Sequence, residues 1–308
     1  MRGPSKIRIY GALISAMAIW GLSFLAIKDA IGTIPVFSLL FTRFLLATIL
    51  LGILGLTRKA LRLPRRDLLT LAGLSILSPV GYFLFETYGV LYTQPSHVSV
   101  IIATIPIAVY LIAFARKQER LTWRRSVGIL VAYSGILIII GWGTQEGGAS
   151  PFGDLLVLGA VLCAASRTTL IKDALRRVTP LQLTFYQFFF SLFVFGPLAL
   201  TEGIGWMSQV TPLTLAEVLF LGVFCSAVAF LFMHYALVHL SATQVAVSAN
   251  LVPIVTLAAE IGILGAAITL PKALGITLTL AGILLTQIDR STRTPTRLDY
   301  EAVIVKKP

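Results

Sequence analysis

The sequence predicts an all-α integral membrane protein, with ten transmembrane helices arranged as two inverted five-helix repeats around a central cavity. Composition, ten long apolar segments and an internal repeat together predict this fold. Of the 308 residues, 57% are hydrophobic and only 12% are charged, and the mean hydropathy is +0.90. Because a soluble domain carries about 25% charged residues, most of the surface of this chain is not expected to face water.

Ten apolar segments follow one another along the chain, each close to the length of about 20 residues with which an α-helix crosses a bilayer. Charged residues, glycine or proline separate the segments, as is typical of helix ends. The apolar runs are continuous rather than alternating, which favours helices over the strands of a membrane barrel. The predicted spans, numbered 1 to 10, cover residues 7–27, 35–56, 68–91, 96–115, 123–141, 152–171, 180–200, 213–238, 242–264 and 270–288.

Positive charge is distributed unevenly between the predicted loops. Of the 25 Lys and Arg residues, 21 lie in the two terminal segments and in the loops after spans 2, 4 and 6, whereas only Lys28 and Lys272 lie in the opposite loops. Loops rich in Lys and Arg stay in the cytoplasm, so we expect an inner (plasma) membrane protein with both termini cytoplasmic and residues 289–308 as a polar tail. The net charge of +12 then reflects topology and contact with anionic lipid, not nucleic-acid binding.

The two halves of the sequence align with each other. From residue 83 to residue 141 the first half matches the second without gaps at a shift of 147 positions, and upstream, with small gaps, Arg43-Phe44 falls on Gln187-Phe188. Matched positions include Phe83 with Phe230, Tyr88 with Tyr235, Pro106 with Pro253, Thr122 with Thr269, Gly128 with Gly275 and Gly135 with Gly282.

The repeat predicts an inverted architecture. Residues 1–142 and 152–288 each contain five predicted spans, and because five is odd, the second repeat enters the membrane from the opposite side. Inverted repeats of this kind are typical of transporters that work by alternating access, with the substrate site near the midplane between the repeats. Duplication of a membrane domain without transport is the alternative interpretation.

The motifs in the first repeat resemble those of a known family. Residues 20–24 (WGLSF) are followed by Ile27-Lys28, and Pro106 is followed by residues 119–122 (ERLT). The chain resembles the EamA-type transporters of the drug/metabolite transporter (DMT) superfamily in these motifs. Two positions depart from the family pattern: Gln118 replaces the motif glycine, and in the second copy Ala266 stands where a glutamate is expected.

The resemblance implies a ten-helix bundle whose cavity is lined mainly by helices 1–4 and 6–9. It also implies a permease for amino acids, other metabolites or drugs. We therefore expect a secondary transporter that moves small metabolites, amino acids or related amphiphiles, outward across the inner membrane. An importer or a channel is the alternative, and an intramembrane enzyme is disfavoured because no His-Glu-x-x-His or Gly-x-Ser-x-Gly motif is present. No cofactor or metal is expected, proton coupling is open, and a monomer and a homodimer are both compatible with the sequence.

Ionisable residues inside the predicted spans are costly unless they have a partner or a wet cavity. Arg43 in span 2 and Glu86 in span 3 lie at similar predicted depths, so we expect both to face one cavity, either as a substrate or proton site or as a structural ion pair. Gln187 and His234 occupy the corresponding region of the second repeat. We expect Arg167, near the inner end of span 6, to extend to the cytoplasmic interface or to form a structural pair, with a cavity position as the alternative.

Aromatic, amide and proline residues complete the predicted site. Trp20 and Tyr82 are expected in the cavity wall, because Trp20 belongs to the motif and Tyr82 lies one helical turn before Glu86. Pro106 and Pro253 are expected to break the middles of spans 4 and 9 and to act as hinges, since proline removes a backbone hydrogen bond. Asn250 is expected to bind a carbonyl freed in this way or a ligand.

Overall fold

The computed structural model describes residues 5–57, 60–115, 122–143, 150–175, 177–240, 245 and 248–287, and within these ranges all regular structure is helical. Among the described residues, seven helical segments are long and apolar enough to cross a membrane, and three further apolar helices are shorter. The prediction of an all-α integral membrane protein is therefore confirmed. The predicted tail at 289–308, the ERL of the motif at 119–121 and part of the start of span 9 lie outside the described residues.

The helices are numbered here in chain order. Those of the first half are α1 (Lys6–Ala30), α2 (Val36–Thr57), α3 (Arg65–Ser75), α4 (Tyr82–Tyr92), α5 (Pro95–Ile102), α6 (Ile105–Ala115) and α7 (Trp123–Gly143). Those of the second half are α8 (Pro151–Leu175), α9 (Pro180–Thr201), α10 (Pro212–Leu219), α11 (Ala229–His239), α12 (Leu251–Leu264) and α13 (Leu270–Gln287).

Predicted span 8 contains a π-helical segment with widened turns, and predicted span 3 contains a kinked segment at the corresponding position. Ile76–Gly81 joins α3 to α4 and is kinked at Ser78, where the backbone is extended, and Phe220–Val228 joins α10 to α11. The two segments occupy corresponding positions of the two halves. The first segment contains Pro79, whereas the second contains no proline. Such widened turns are frequent at functional sites.

Predicted span 4 is broken in the structure, but the break comes before its proline. Helix α5 ends at Ile102 and α6 begins at Ile105, so Pro106 is the second residue of α6. In the same way Pro253 is the third residue of α12, after Asn250 at the N-cap. Spans 4 and 9 are therefore interrupted near their middles, and each interruption lies just before its proline, because the first turn of a helix needs no backbone N–H bonds and accepts proline. A hinge role for Pro106 and Pro253 stays a prediction.

Polar contacts tie several helix ends together at one end of the bundle. The Glu202 carboxylate, just after α9, accepts hydrogen bonds from the backbone N–H groups of Phe37 (3.0 Å) and Ser38 (2.7 Å) at the start of α2. A carboxylate is favourable there because helix N-termini carry unpaired N–H groups and partial positive charge. The Lys28 ammonium similarly donates to the carbonyls of Val90, Leu91 and Thr93 at the C-terminal end of α4.

Glu260 belongs to the same set of contacts. It is buried, accepts a hydrogen bond from the backbone N–H of Ser96 (2.8 Å) and forms an ion pair with Lys272 (3.2 Å). These contacts join α12, α13 and the start of α5. Glu260 therefore has a structural partner for each carboxylate oxygen.

Helices α7 and α13 pack mainly against each other, whereas α2 packs along α9 in the interior of the bundle. Other extensive pairs are α4 with α8, α1 with α11, α1 with α12 and α6 with α8. The residues predicted to form the site therefore lie on the interior helices, and α7 and α13 are peripheral to them.

Candidate functional site

Arg43 on α2 is buried in the interior of the bundle, with only 1% of its surface exposed. Its Nε donates a hydrogen bond to Ser226 Oγ at 3.1 Å. The guanidinium carbon also lies 4.5 Å from the ring centroid of Phe83 and 5.5 Å from that of Phe44. Aromatic faces attract cations, most strongly where water is excluded, so these rings partly replace the solvation that Arg43 loses.

Glu86 on α4 is also buried, with 3% of its surface exposed. Its Oε1 accepts a hydrogen bond from the Tyr82 hydroxyl at 2.9 Å, because residues four apart share one face of a helix. Arg43 and Glu86 form no direct ion pair. Among the described residues, Arg43 Nη1 and Glu86 Oε2 are both buried and have no hydrogen-bond partner. The expected direct pairing is therefore not observed, and a cavity shared by Arg43 and Glu86 stays a prediction.

Ser226 explains part of this geometry and was missed in the sequence analysis. It lies in the π-helical segment Phe220–Val228, where its hydroxyl donates to the Leu221 carbonyl at 2.9 Å and accepts from Arg43. The preceding carbonyl, that of Cys225, accepts a hydrogen bond from Trp20 Nε1 at 3.1 Å. Nothing in the apolar sequence around Ser226 signalled this role, because the register of a widened helical turn is set by tertiary packing.

A second buried polar cluster lies on α8, α9 and α11. Arg167 Nη2 donates to Gln187 Oε1 and contacts His234 Nε2 at 3.2 Å, and His234 Nδ1 lies 2.8 Å from Thr184 Oγ1. All four side chains are buried. The expectation that Arg167 extends to the membrane interface is wrong: α8 continues to Leu175, so Arg167 lies eight residues, about 12 Å, before the helix end.

Four phenylalanine rings pack against one another, and together they contact residues of both polar clusters. Phe44 stacks on Phe188 with centroids 5.1 Å apart, and Phe83 and Phe230 lie 5.9 Å apart. Phe44 also contacts Phe83 at 5.1 Å, and Phe188 contacts Phe230 at 5.3 Å. We call these four rings the phenylalanine cluster. Arg43 lies over two of the rings, and His234 contacts a third, Phe230, at 5.9 Å.

Asn250 lies at the break before α12 without a hydrogen bond to the helix. It is the N-cap residue, but neither its Nδ2 nor its Oδ1 has a partner among the residues that the structure describes. The expected bond from Asn250 to a freed carbonyl is therefore absent. Thr104, at the corresponding break in the first half, does donate to a carbonyl, that of Ile101, at 2.6 Å.

These helices define an integral membrane protein with charged groups in its apolar interior. The chain belongs to the EamA-like transporter family, whose model matches residues 7–141 and again residues 151–288. It is a membrane transporter, and the resemblance found in the sequence motifs is confirmed.

Related proteins support the same class. The chain is 30% identical over 290 residues to an uncharacterized transporter of Archaeoglobus fulgidus, covering 92% of this chain and 97% of that protein. It is 27% identical to a probable terminal-alkyne amino-acid exporter of Streptantibioticus cattleyicolor, covering 89% of this chain and 91% of the other. A crystal structure 18% identical in sequence matches with a TM-score of 0.63 over 91% of this chain and 96% of its own, which shows a shared fold.

Proposed function

We propose that the protein is a secondary transporter that exports small metabolites, amino acids or related amphiphiles, by alternating access between two inverted five-helix repeats. The observation that carries this proposal is the pair of buried polar clusters, one in each half, that contact a common phenylalanine cluster. Buried charges inside a membrane protein are costly and typically mark substrate or ion pathways.

The helix pairs support the repeat. In the repeat, α1 corresponds to α8, α4 to α11 and α6 to α12. When each helix is exchanged for its counterpart, the packed pair α1 and α11 becomes the packed pair α8 and α4. The pair α1 and α12 becomes α8 and α6 in the same way. The pairs α2 with α9 and α7 with α13 are each converted into themselves. A pseudo-two-fold axis passing between α2 and α9 accounts for this pattern, and the two matches of the family model have the same division.

The phenylalanine cluster supports the same axis. Phe44 corresponds to Phe188 and Phe83 corresponds to Phe230, so the exchange converts the contact Phe44–Phe83 into Phe188–Phe230. The contacts Phe44–Phe188 and Phe83–Phe230 are converted into themselves. We infer that these rings separate an outward-facing compartment at Arg43 and Glu86 from an inward-facing one at Arg167, Gln187 and His234.

Movement between two states requires flexible points in the helices. We propose that these points are the breaks before Pro106 and Pro253, the kinked segment Ile76–Gly81 and the π-helical segment Phe220–Val228. At such places the regular backbone hydrogen bonds are already interrupted, so bending breaks fewer of them. The unpartnered amide of Asn250 lies at one of the breaks, where it is available to a substrate or to water when the bundle opens.

Comparison of metabolites in cells with and without the protein tests the function. We expect a small set of amino acids or related amphiphiles to leave the expressing cells faster, with a rate that saturates as the internal concentration rises. Cells that contain the same amount of Arg43→Met protein control for the load on the membrane. An unchanged metabolite profile would contradict transport of such compounds, and flux that rises without saturation would indicate a channel.

Cysteine labelling tests the topology. We replace Cys163 and Cys225 with alanine and introduce single cysteines at Ser5, Ser208 or Pro308. A maleimide that cannot cross membranes is expected to label Ser208→Cys in intact cells, and the two terminal positions only after the cells are opened, because both termini are cytoplasmic. Ser208 lies in the exposed 3-10 segment Gly205–Gln209. If only one of the two termini were labelled in intact cells, the termini would lie on opposite sides of the membrane. The number of spans would then be odd, which would rule out the inverted repeat.

A further inference from the structure

Arg167 carries a buried charge that no carboxylate of the described residues balances. Only 5% of the surface of Arg167 is exposed. The acidic side chains that form ion pairs among the described residues are Asp154, Asp67 and Glu260, and their partners are His97, Arg177 and Lys272. Among side chains that the structure describes, no carboxylate lies within 4.0 Å of Arg167. A buried charge normally has an oppositely charged partner. Among the described residues, the Arg167 guanidinium has no such partner.

The proton positions around His234 follow from the contacts. The Thr184 hydroxyl donates its single proton to the Pro180 carbonyl at 2.6 Å, so at the 2.8 Å contact it accepts a proton from His234 Nδ1. His234 Nε2 then offers a lone pair to Arg167 Nη2 at 3.2 Å. His234 is therefore neutral in this arrangement, and it orients the guanidinium without adding a second charge.

Gln187 orients the same guanidinium from α9. Its Oε1 accepts from Arg167, which fixes the orientation of the amide, because a guanidinium has donors only. Among the residues that the structure describes, the Nε2 of Gln187 and the Nε of Arg167 are both buried and have no hydrogen-bond partner. Within this described part, the cluster therefore presents two unused donor atoms and a positive charge without an unused acceptor. The Arg43 cluster differs, because there the carboxylate oxygen Glu86 Oε2 is also unpartnered.

We propose that Arg167 and Gln187 form a carboxylate-binding site, so that the transported substrates are organic acids, including amino acids. This inference rests on the proposed transport function and deepens it. A carboxylate has two acceptor oxygens and carries one negative charge, which complement the two unpartnered donor atoms and the guanidinium charge of the cluster. The Phe230 ring, which contacts both His234 and Phe188, offers an apolar surface to the remainder of the substrate.

Binding to the purified full-length protein tests the carboxylate site without requiring transport. The probes are the 20 amino acids, 4-methylpentanoate, L-leucinamide and sodium sulfate, and the readout is the shift in unfolding temperature. We expect at least one carboxylate to stabilise the wild-type protein while L-leucinamide does not. We expect Arg167→Met and Gln187→Leu to weaken the affinity for that carboxylate at least tenfold, and Arg167→Lys to weaken it less.

The substrate-free protein separates loss of binding from loss of folding. Arg167→Met leaves Gln187 Oε1 and His234 Nε2 without their donor, so we expect this variant to unfold at a lower temperature than the wild type, and the affinity of each variant is measured on its folded fraction. If Arg167→Met does not fold, Gln187→Leu and competition between carboxylate and amide probes on the wild type still decide the question. No stabilisation by any carboxylate, equal stabilisation by L-leucinamide, or stabilisation by sulfate alone would overturn the proposal.

Export measurements separate the failure of this inference from failure of the proposed function. If the protein exports compounds that lack a carboxylate, and Arg167→Met exports them at the wild-type rate, the carboxylate site is refuted and transport stands. If exported organic acids fall at least tenfold in Arg167→Met cells while the amount of protein is unchanged, both proposals are supported. If nothing is exported, the proposed function fails, and the binding experiment alone decides the anion site.

Discussion

Replacing Gly282 with valine is expected to prevent stable packing of α7 against α13. A Cβ added to Gly282 would lie 2.6 Å from the Gly128 carbonyl oxygen and 2.7 Å from the Ala132 Cα, both of which belong to the backbone of α7. Backbone cannot rotate away as a flexible side chain does, so the helices must separate. Overpacking typically costs about 1–3 kcal/mol, and we expect the upper end of this range or more.

Gly135 provides an independent copy of the same test. A Cβ there would lie 2.6 Å from the Gly275 carbonyl oxygen of α13, and Gly135 corresponds to Gly282 in the sequence repeat. Separation of the helices would also break the hydrogen bond from Thr279 Oγ1 to the Ala132 carbonyl, which measures 3.3 Å. We therefore expect Gly135→Val to destabilise the protein by a similar amount.

The measurement is the unfolding temperature of detergent-purified protein and the fraction that elutes as a single species. Gly262→Val is the matched control, because Gly262 is an exposed helical glycine whose added Cβ would meet nothing within 4 Å. We expect this control to behave like the wild type. Normal unfolding temperatures for both Gly282→Val and Gly135→Val would show that α7 and α13 do not approach as closely as described.

The sequence was informative about this interface because close helix approach leaves a direct trace in residue type. Gly128, Gly135, Gly275 and Gly282 stand at matched positions of the repeat, and small residues let the backbones of membrane helices come together. The apolar lengths were equally informative, since the thickness of the bilayer fixes how many residues a helix needs. Helix identity and approximate bounds could therefore be predicted.

Helix interruptions and side-chain directions could not be predicted as well. Span 6 was predicted to end at residue 171, and α8 ends at Leu175, because the polar residues Lys172 and Asp173 end an apolar run without ending a helix. This shift of one turn led to the wrong location for Arg167. The sequence predicted similar depths for Arg43 and Glu86 in the membrane. The direction in which a side chain points around the helix axis depends on packing, however, and in the structure Ser226 rather than Glu86 binds the Arg43 guanidinium directly.

Replacing Arg43 with methionine, or Glu86 with glutamine, is expected to reduce export by about 10- to 100-fold. Both groups have an unpartnered buried polar atom, Nη1 of Arg43 and Oε2 of Glu86, to which a substrate or a proton can bind when the compartment opens. Hydrogen bonds that involve a charged group contribute about 1.5–3 kcal/mol, and each 1.4 kcal/mol corresponds to a factor of ten.

The measurement is the initial rate of export per molecule of folded protein, with the amount and the elution profile of each variant determined in parallel. Glu202→Gln is the matched control for Glu86→Gln, because Glu202 lies at the α2 N-terminus and its contacts are with Phe37 and Ser38 there. We expect Glu202→Gln to lower the unfolding temperature while leaving the export rate per folded molecule within about twofold of the wild type, since one charge-assisted capping interaction contributes about 1 kcal/mol.

Exchange experiments distinguish a proton-carrying role of Glu86 from a substrate-binding role. If Glu86 carries the coupling proton, Glu86→Gln stops accumulation against a gradient but still exchanges labelled substrate across proteoliposome membranes at the wild-type rate. If Glu86 binds substrate, accumulation and exchange decline together. Full accumulation and full exchange in both Glu86→Gln and Arg43→Met, with normal unfolding temperatures, would exclude this cluster from the transport pathway, because a buried charge that can be removed without any effect contributes neither to the fold nor to binding.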